Sequence, residues 1–221
     1  MRVVLTEEEV RALGALVEKS VTTPEYYPPS LNALVAACNQ KSSRDPVVDY
    51  DEATVARALE RLREKHLLWV VSEAGARVPK YKHRFAEAFD LSEADQAILC
   101  LLMLRGPQTP GELRSRAGRL HSFASPEEVE RVLEELATLE EGPLVVKLPR
   151  QPGRKEHRWA HTLHGAPAEQ PETVPEPVDA PLAAARDERA RLCALEAGVA
   201  ALQEEVAALK SQLEDFRKRL E

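Results

Sequence analysis

The chain has only three cysteines, Cys38, Cys100 and Cys193, scattered over its 221 residues and never in a Cys-x-x-Cys pair. That spacing argues against a disulfide framework and a zinc site and leaves free thiols as the expectation. Cys38, at a helix end beside polar residues, would be a redox sensor only if its pKa were lowered. Long apolar runs are also missing, and the N-terminal MRVVLTEEEV lacks a basic stretch followed by an apolar block. Neither a membrane span nor a signal peptide is expected, which points to a cytoplasmic protein with no membrane partner. Glycine is sparse at nine residues, and no phosphate-cradling glycine loop, Ser/His/Asp or Cys/His set, or isolated carboxylate pair stands out. The expectation is a non-enzyme without a cofactor. His157, His161 and His164 mimic a metal motif, but they fall on a strand and chain exit where that spacing does not converge.

Positive charge is short overall, with a net charge of −7, yet its distribution is uneven. Residues 1–90 carry 13 Lys/Arg against 14 Asp/Glu, residues 91–165 carry 10 against 11, and residues 166–221 carry 7 against 12. Most of the acidity sits in the tail, so local patches decide what each half can bind.

What is present is a duplicated plan of three helices and a hairpin. Thr6 with Glu9 forms a capping box ahead of Val10, Leu13, Leu16 and Val17, which predicts a first helix to about Lys19. Ser30 caps a second helix with Leu31, Leu34 and Val35 inside, and Asp49 or Asp51 caps a third with Val55, Leu59 and Leu62 inside. Strands are expected over Leu68 to Ser72 and Arg77 to Phe85, with the turn at Ala74-Gly75. The pattern then returns. Leu5-Thr6-Glu7 and Thr23-Pro24 recur at an offset of 86 as Leu91-Ser92-Glu93 and Thr109-Pro110, whereas Val55-x-Arg57-x-Leu59-Glu60-x-Leu62 and His83-Arg84 recur at an offset of 74. The second copy has therefore lost twelve residues between its first and third helices, and so long a period indicates domain duplication.

The fold class expected is mainly α with small β-hairpins (α+β): two tandem winged helix-turn-helix domains at 1–90 and 91–164. An all-α domain with a decorative hairpin is the alternative. Residues 165–181 form a Pro-rich linker, and residues 182–221 a coiled coil. In the latter, Leu192, Leu195, Val199, Leu202, Val206, Leu209, Leu213, Phe216 and Leu220 alternate spacings of three and four. Val at a and Leu at d, with the Arg191/Glu196 and Glu205/Lys210 pairs, favour a parallel homodimer. The alternative is an amphipathic helix folded back on its own domain.

Winged helices bind double-stranded DNA by placing the third helix in the major groove while the wing touches the backbone or minor groove. The first copy is equipped for this by Arg57, Arg61 and Lys65 on the third helix, Lys41 and Arg44 in the preceding loop, and Arg77, Lys80, Lys82 and Arg84 on the wing. The bland alternative has Arg57, Arg61 and Lys65 pairing with Glu60 and Glu64 on a solvated face. In the second copy the third helix, Ser125 to Leu139, carries Glu127, Glu128, Glu130, Glu134 and Glu135 against Arg131 and would be repelled by phosphates. Its basic residues are Arg114, Arg116 and Arg119 in the second-helix region and Lys147, Arg150, Arg154, Lys155 and Arg158 on the wing. This copy is expected to contact DNA through its wing or to dock another protein.

The stretches VTTPEYYPPSLNALVAACNQK (21–41), KYKHRF (80–85), RGPQTPGELRSRAGR (105–119) and LPRQPGRKEHRW (148–159) resemble the YceH-like family of bacterial proteins. The resemblance spans both globular halves and implies tandem winged helices, often followed by a coiled coil. It carries over no functional residues. Pro79 and Lys82 depart from the Thr and Glu of the family pattern, making this wing more basic. Two functional expectations follow: a DNA-binding protein acting as a coiled-coil dimer, either a transcriptional regulator or a nucleoid-associated factor, or an adaptor whose winged helices dock proteins.

Overall fold

Six helices start where a short polar side chain can accept from the backbone N–H three residues on. Thr6, Ser30 and Asp51 cap α1 (Glu7–Thr22), α2 (Leu31–Cys38) and α3 (Glu52–Glu64). Ser92, Thr109 and Ser125 cap α5 (Glu93–Arg105), α6 (Pro110–Ala117) and α7 (Pro126–Ala137). Thr6, Ser92 and Thr109 complete capping boxes with Glu9, Asp95 and Glu112. These features are seen in a computed structural model that describes residues 3–71, 78–140, 142–150 and 156–165. The chain is mainly helical with two small antiparallel hairpins, and no helix among the described residues is long and apolar enough to cross a membrane. The linker expected at 165–181, save Gly165 itself, and the coil at 182–221 lie outside the described residues, as does the turn at Ala74-Gly75.

β1 (Leu68–Val71) pairs with β2 (Lys80–His83), Trp69 facing Lys82 and Leu68 facing His83. β3 (Val145–Lys147) pairs with β4 (Trp159–His161). In both halves the segment just before the second helix adds an antiparallel bridge to the hairpin, Ser30 to Lys80 and Gln108 to Trp159. The strand expected to reach Phe85 stops at His83. The His83 ring accepts from the Phe85 N–H at 3.3 Å, and the chain turns into a short helix, α4 (Phe85–Phe89), that buries Phe85 and ends at Asp90 in the left-handed region.

The twelve residues missing from the second copy can be located. α5 has 13 residues against 16 in α1, the connection after it has 4 against 8, and the connection before the third helix has 8 against 13. The second helices are equal at 8 residues.

The two copies share one core. All residues from Glu9 to Val17 in α1 and from Ala97 to Leu104 in α5 are buried, as expected of helices covered on all sides. α1 and α5 pack on each other where Gly14 faces Leu104 and Met103, and the Cys100 thiol donates to the Gly14 carbonyl at 3.5 Å. Gly14 and Cys100 are equivalent positions of the sequence repeat, 86 residues apart, so the first helix of each half is packed against its counterpart. Leu5 N–H also donates to the Leu163 carbonyl at 2.7 Å, tying the start of the first copy to the end of the second. There is no break in the core at residues 90 and 91, and the described residues lie in one compact unit spanning Met1–Ala168.

Candidate nucleic-acid interface

α3 turns Val55, Ala58, Leu59 and Leu62 to the core and leaves Arg57 and Arg61 exposed, one turn apart. Glu60 spends its charge on Arg63, at 3.3 Å. Arg57 donates only to the neutral Thr54 hydroxyl, at 3.0 Å, and Arg61 makes no ion pair among the described residues. The self-neutralised helix face considered from the sequence is therefore not formed at these two arginines. Glu8 is their acidic neighbour. Its carboxyl is held below its usual value by hydrogen bonding to Thr6, with smaller contributions from Arg61 and Arg57.

The other expected contacts divide. Lys41 and Lys82 are exposed, and Lys80 is half-buried. Lys65 is partly withdrawn: its ammonium lies 2.5 Å from the buried Glu9 carboxylate and donates to the Val4 carbonyl at 2.8 Å. Arg84 lies over the Trp69 ring, with its guanidinium carbon 4.5 Å from the ring centroid. Arg77, Arg154 and Lys155 lie outside the described residues, as do the coil positions Leu192, Leu195, Val199, Leu202, Val206, Leu209, Leu213, Phe216 and Leu220.

Arg44 requires correction. Its side chain is fully buried, pairs with Glu18 at 2.6 Å and donates to the Ala37 carbonyl, so it fastens the α2–α3 connection to α1 and cannot reach DNA. Burial alone would raise the Glu18 carboxyl, but Arg44 and Lys19 outweigh it and hold the pKa below its usual value. Arg11, also buried, donates to the Pro46 carbonyl in the same connection at 2.6 Å. Asn39 and Tyr50 close its base with two hydrogen bonds of 2.8 and 2.9 Å. The redox role considered for Cys38 is overturned as well, because burial pushes its thiol up to about 12, far from thiolate chemistry.

The second half has a different electrostatic surface. α7 exposes Glu127, Glu134 and Glu135 beside Arg131. Arg158 donates from Nη2 to both Glu112 carboxylate oxygens, at 3.0 and 3.1 Å, and from Nη1 to the Pro107 carbonyl. Arg116 donates to Gln108 at 2.6 Å, and Lys147 lies 3.6 Å from Glu130. Arg114 ties α6 to the following loop through the Phe123 and Ala124 carbonyls. Arg119 and Arg150 stay exposed. The histidine series brings the His161 and His164 rings to 4.9 Å, while His157 bonds the Leu148 carbonyl. No cluster of three metal-ligating side chains forms among the described residues.

Trp69 was not singled out in the sequence, though it is half exposed among basic residues. The available signal was an aromatic residue on a short strand whose hairpin partner reads Lys-x-Lys-x-Arg from Lys80 to Arg84.

Residues 5–154 match the family model described as protein of unknown function DUF480. A UPF0502 protein of Opitutus terrae is 58% identical over 179 residues, covering 80% of this chain and 78% of its own length. A UPF0502 protein of Geobacter sulfurreducens is 49% identical over 221 residues, the whole of both chains. One from Solibacter usitatus is 49% identical over 217 residues, 98% of each chain. The YceH-like resemblance and these relatives point to the same group of bacterial proteins, and the chain belongs to the DUF480/UPF0502 family.

Proposed function

We propose that the protein is a tandem winged-helix DNA-binding protein that acts as a dimer through a parallel coiled coil at 182–221, as a transcriptional regulator or nucleoid-associated factor in the cytoplasm. The winged-helix reading is supported by the order of three helices and a hairpin in each half, with the extra bridge from Ser30 and Gln108. The observation that carries DNA binding is the exposed Arg57–Arg61 pair on α3, which makes no ion pair among the described residues while Glu60 engages Arg63. Two guanidiniums one turn apart on the third helix suit phosphates or guanine edges of a major groove.

The test is anisotropy on duplex DNA across a salt series. Affinity should fall steeply with salt, and Arg57→Ala/Arg61→Ala should weaken binding about tenfold or more while reducing the logarithmic salt slope by about one to two. No binding by the wild type at low salt would defeat the reading. Sedimentation with and without residues 182–221 tests the dimer, which the shortened chain should lose.

A second reading rests on α7, whose exposed acids disfavour DNA and suit a basic protein surface. The protein is then an adaptor docking another protein through its second half. A stoichiometric partner that is recovered after nuclease treatment and lost on Glu134→Lys/Glu135→Lys would favour it.

A further inference from the structure

Alternation along β2 sends His83 into the core and puts Lys80, Lys82 and Arg84 on the opposite, outer face of the first hairpin. The register places Trp69 directly across from Lys82 on that same face. Trp69 is 50% exposed, and Arg84 covers it at 4.5 Å with its Nε buried and without a hydrogen-bond partner. No acidic side chain lies on the outer face among the described residues of β1 and β2. A large aromatic ring held half open by a guanidinium and flanked by cations has the chemistry of a nucleobase platform: bases stack on the ring while phosphates follow the positive charge. The second hairpin has no equivalent among its described residues: the pair beside Val145 and His161, where the first hairpin has Trp69 and Lys82, is Val146 and Ala160, with neither an aromatic ring nor a cation.

We propose that the outer face of the first hairpin is a stacking site for an unpaired base of single-stranded DNA, with Trp69 as the platform and Lys82 and Arg84 at the flanking phosphates. The proposal rests on the DNA-binding reading above and adds to it a preference for DNA with unpaired ends, forks or gaps.

The full chain is titrated with a blunt duplex and with the same duplex carrying single-stranded oligothymidine arms. The wild type should prefer the armed DNA. Trp69→Ala should lose about tenfold on the armed DNA and less than about twofold on the blunt one, while Trp69→Phe, which keeps a ring, should retain most of the affinity. Oligothymidine should quench the tryptophan emission of the wild type, and the quenching should vanish in Trp69→Phe, whose remaining Trp159 is buried. Binding to both DNAs with no preference, no quenching and no effect of Trp69→Ala overturns the stacking site and leaves the α3 reading standing. Absence of binding to either DNA overturns the DNA reading and the stacking site together. Trp69 is on the surface, so unaltered circular dichroism should accompany each variant.

Discussion

Arg84 and Arg158 fall at one offset in the sequence repeat, yet Arg84 follows the end of β2 whereas Arg158 precedes the start of β4, and their neighbours differ in chemistry. In the first half the guanidinium lies on a half-exposed Trp69 and meets no carboxylate among the described residues; in the second it is clamped by Glu112. The same divergence separates α3 from α7. Their buried positions correspond residue for residue, Val55 with Val129, Leu59 with Leu133 and Leu62 with Leu136, whereas Arg61 on the exposed face is matched by Glu135. The core repeats because packing demands apolar volume at fixed spacing. The surface is under no such demand, and the third helices differ there: α3 exposes Arg57 and Arg61 where α7 exposes Arg131 and Glu135.

The largest effect should come from a difference inside the core. Glu18 of the first half corresponds to Leu104 of the second, and only Glu18 has a buried arginine to hold. Glu18→Leu makes the first half imitate the second but leaves Arg44 charged and unpaired, with an expected loss of about 3–5 kcal/mol in denaturant unfolding. A loss below about 1 kcal/mol would mean that Arg44 finds other compensation.

Acid should act on both halves alike. Burial lowers the pKa of His83 to about 4, and burial with repulsion from His164 does the same to His161. Between about pH 6.5 and 4 the unfolded chain binds protons at these positions that the folded chain refuses, so stability falls as pH drops through that window, by up to about 3 kcal/mol for each. Replacing His83 by Gln should flatten its share of the profile. A third, smaller effect tests the contact between α1 and α5. A Cβ on Gly14 would lie 3.0 Å from Leu104 and 3.1 Å from Met103, so Gly14→Val should cost about 1–3 kcal/mol by overpacking. Gly118→Ala, with nothing within 4 Å of its added carbon, should stay within about 0.5 kcal/mol.

Helix starts and the buried stripes were legible because they depend on neighbours three or four residues away. The repeat offset of 74 fits the third helices but fails at the hairpin, where His83 is matched by His161 and not by His157. α4 was missed because the strand-like alternation of Lys80 to Arg84 runs straight into Phe85 with no capping residue to mark the change. Arg44 and Lys65 look in the sequence like any solvated cation. Their partners, Glu18 and Glu9, lie 26 and 56 residues upstream, a distance at which no local period carries information. The shared core left a signal that was readable: α5 is apolar from Ala97 to Leu104 without a polar face to give to water.

The asymmetry between α3 and α7 is tested most directly by placing a photo-crosslinking side chain at Arg57 in one variant and at its repeat counterpart Arg131 in another, then irradiating each bound to duplex DNA. The account expects crosslinked DNA from position 57 and none from position 131. Crosslinks from position 131 instead, or equal yields from both, would contradict it.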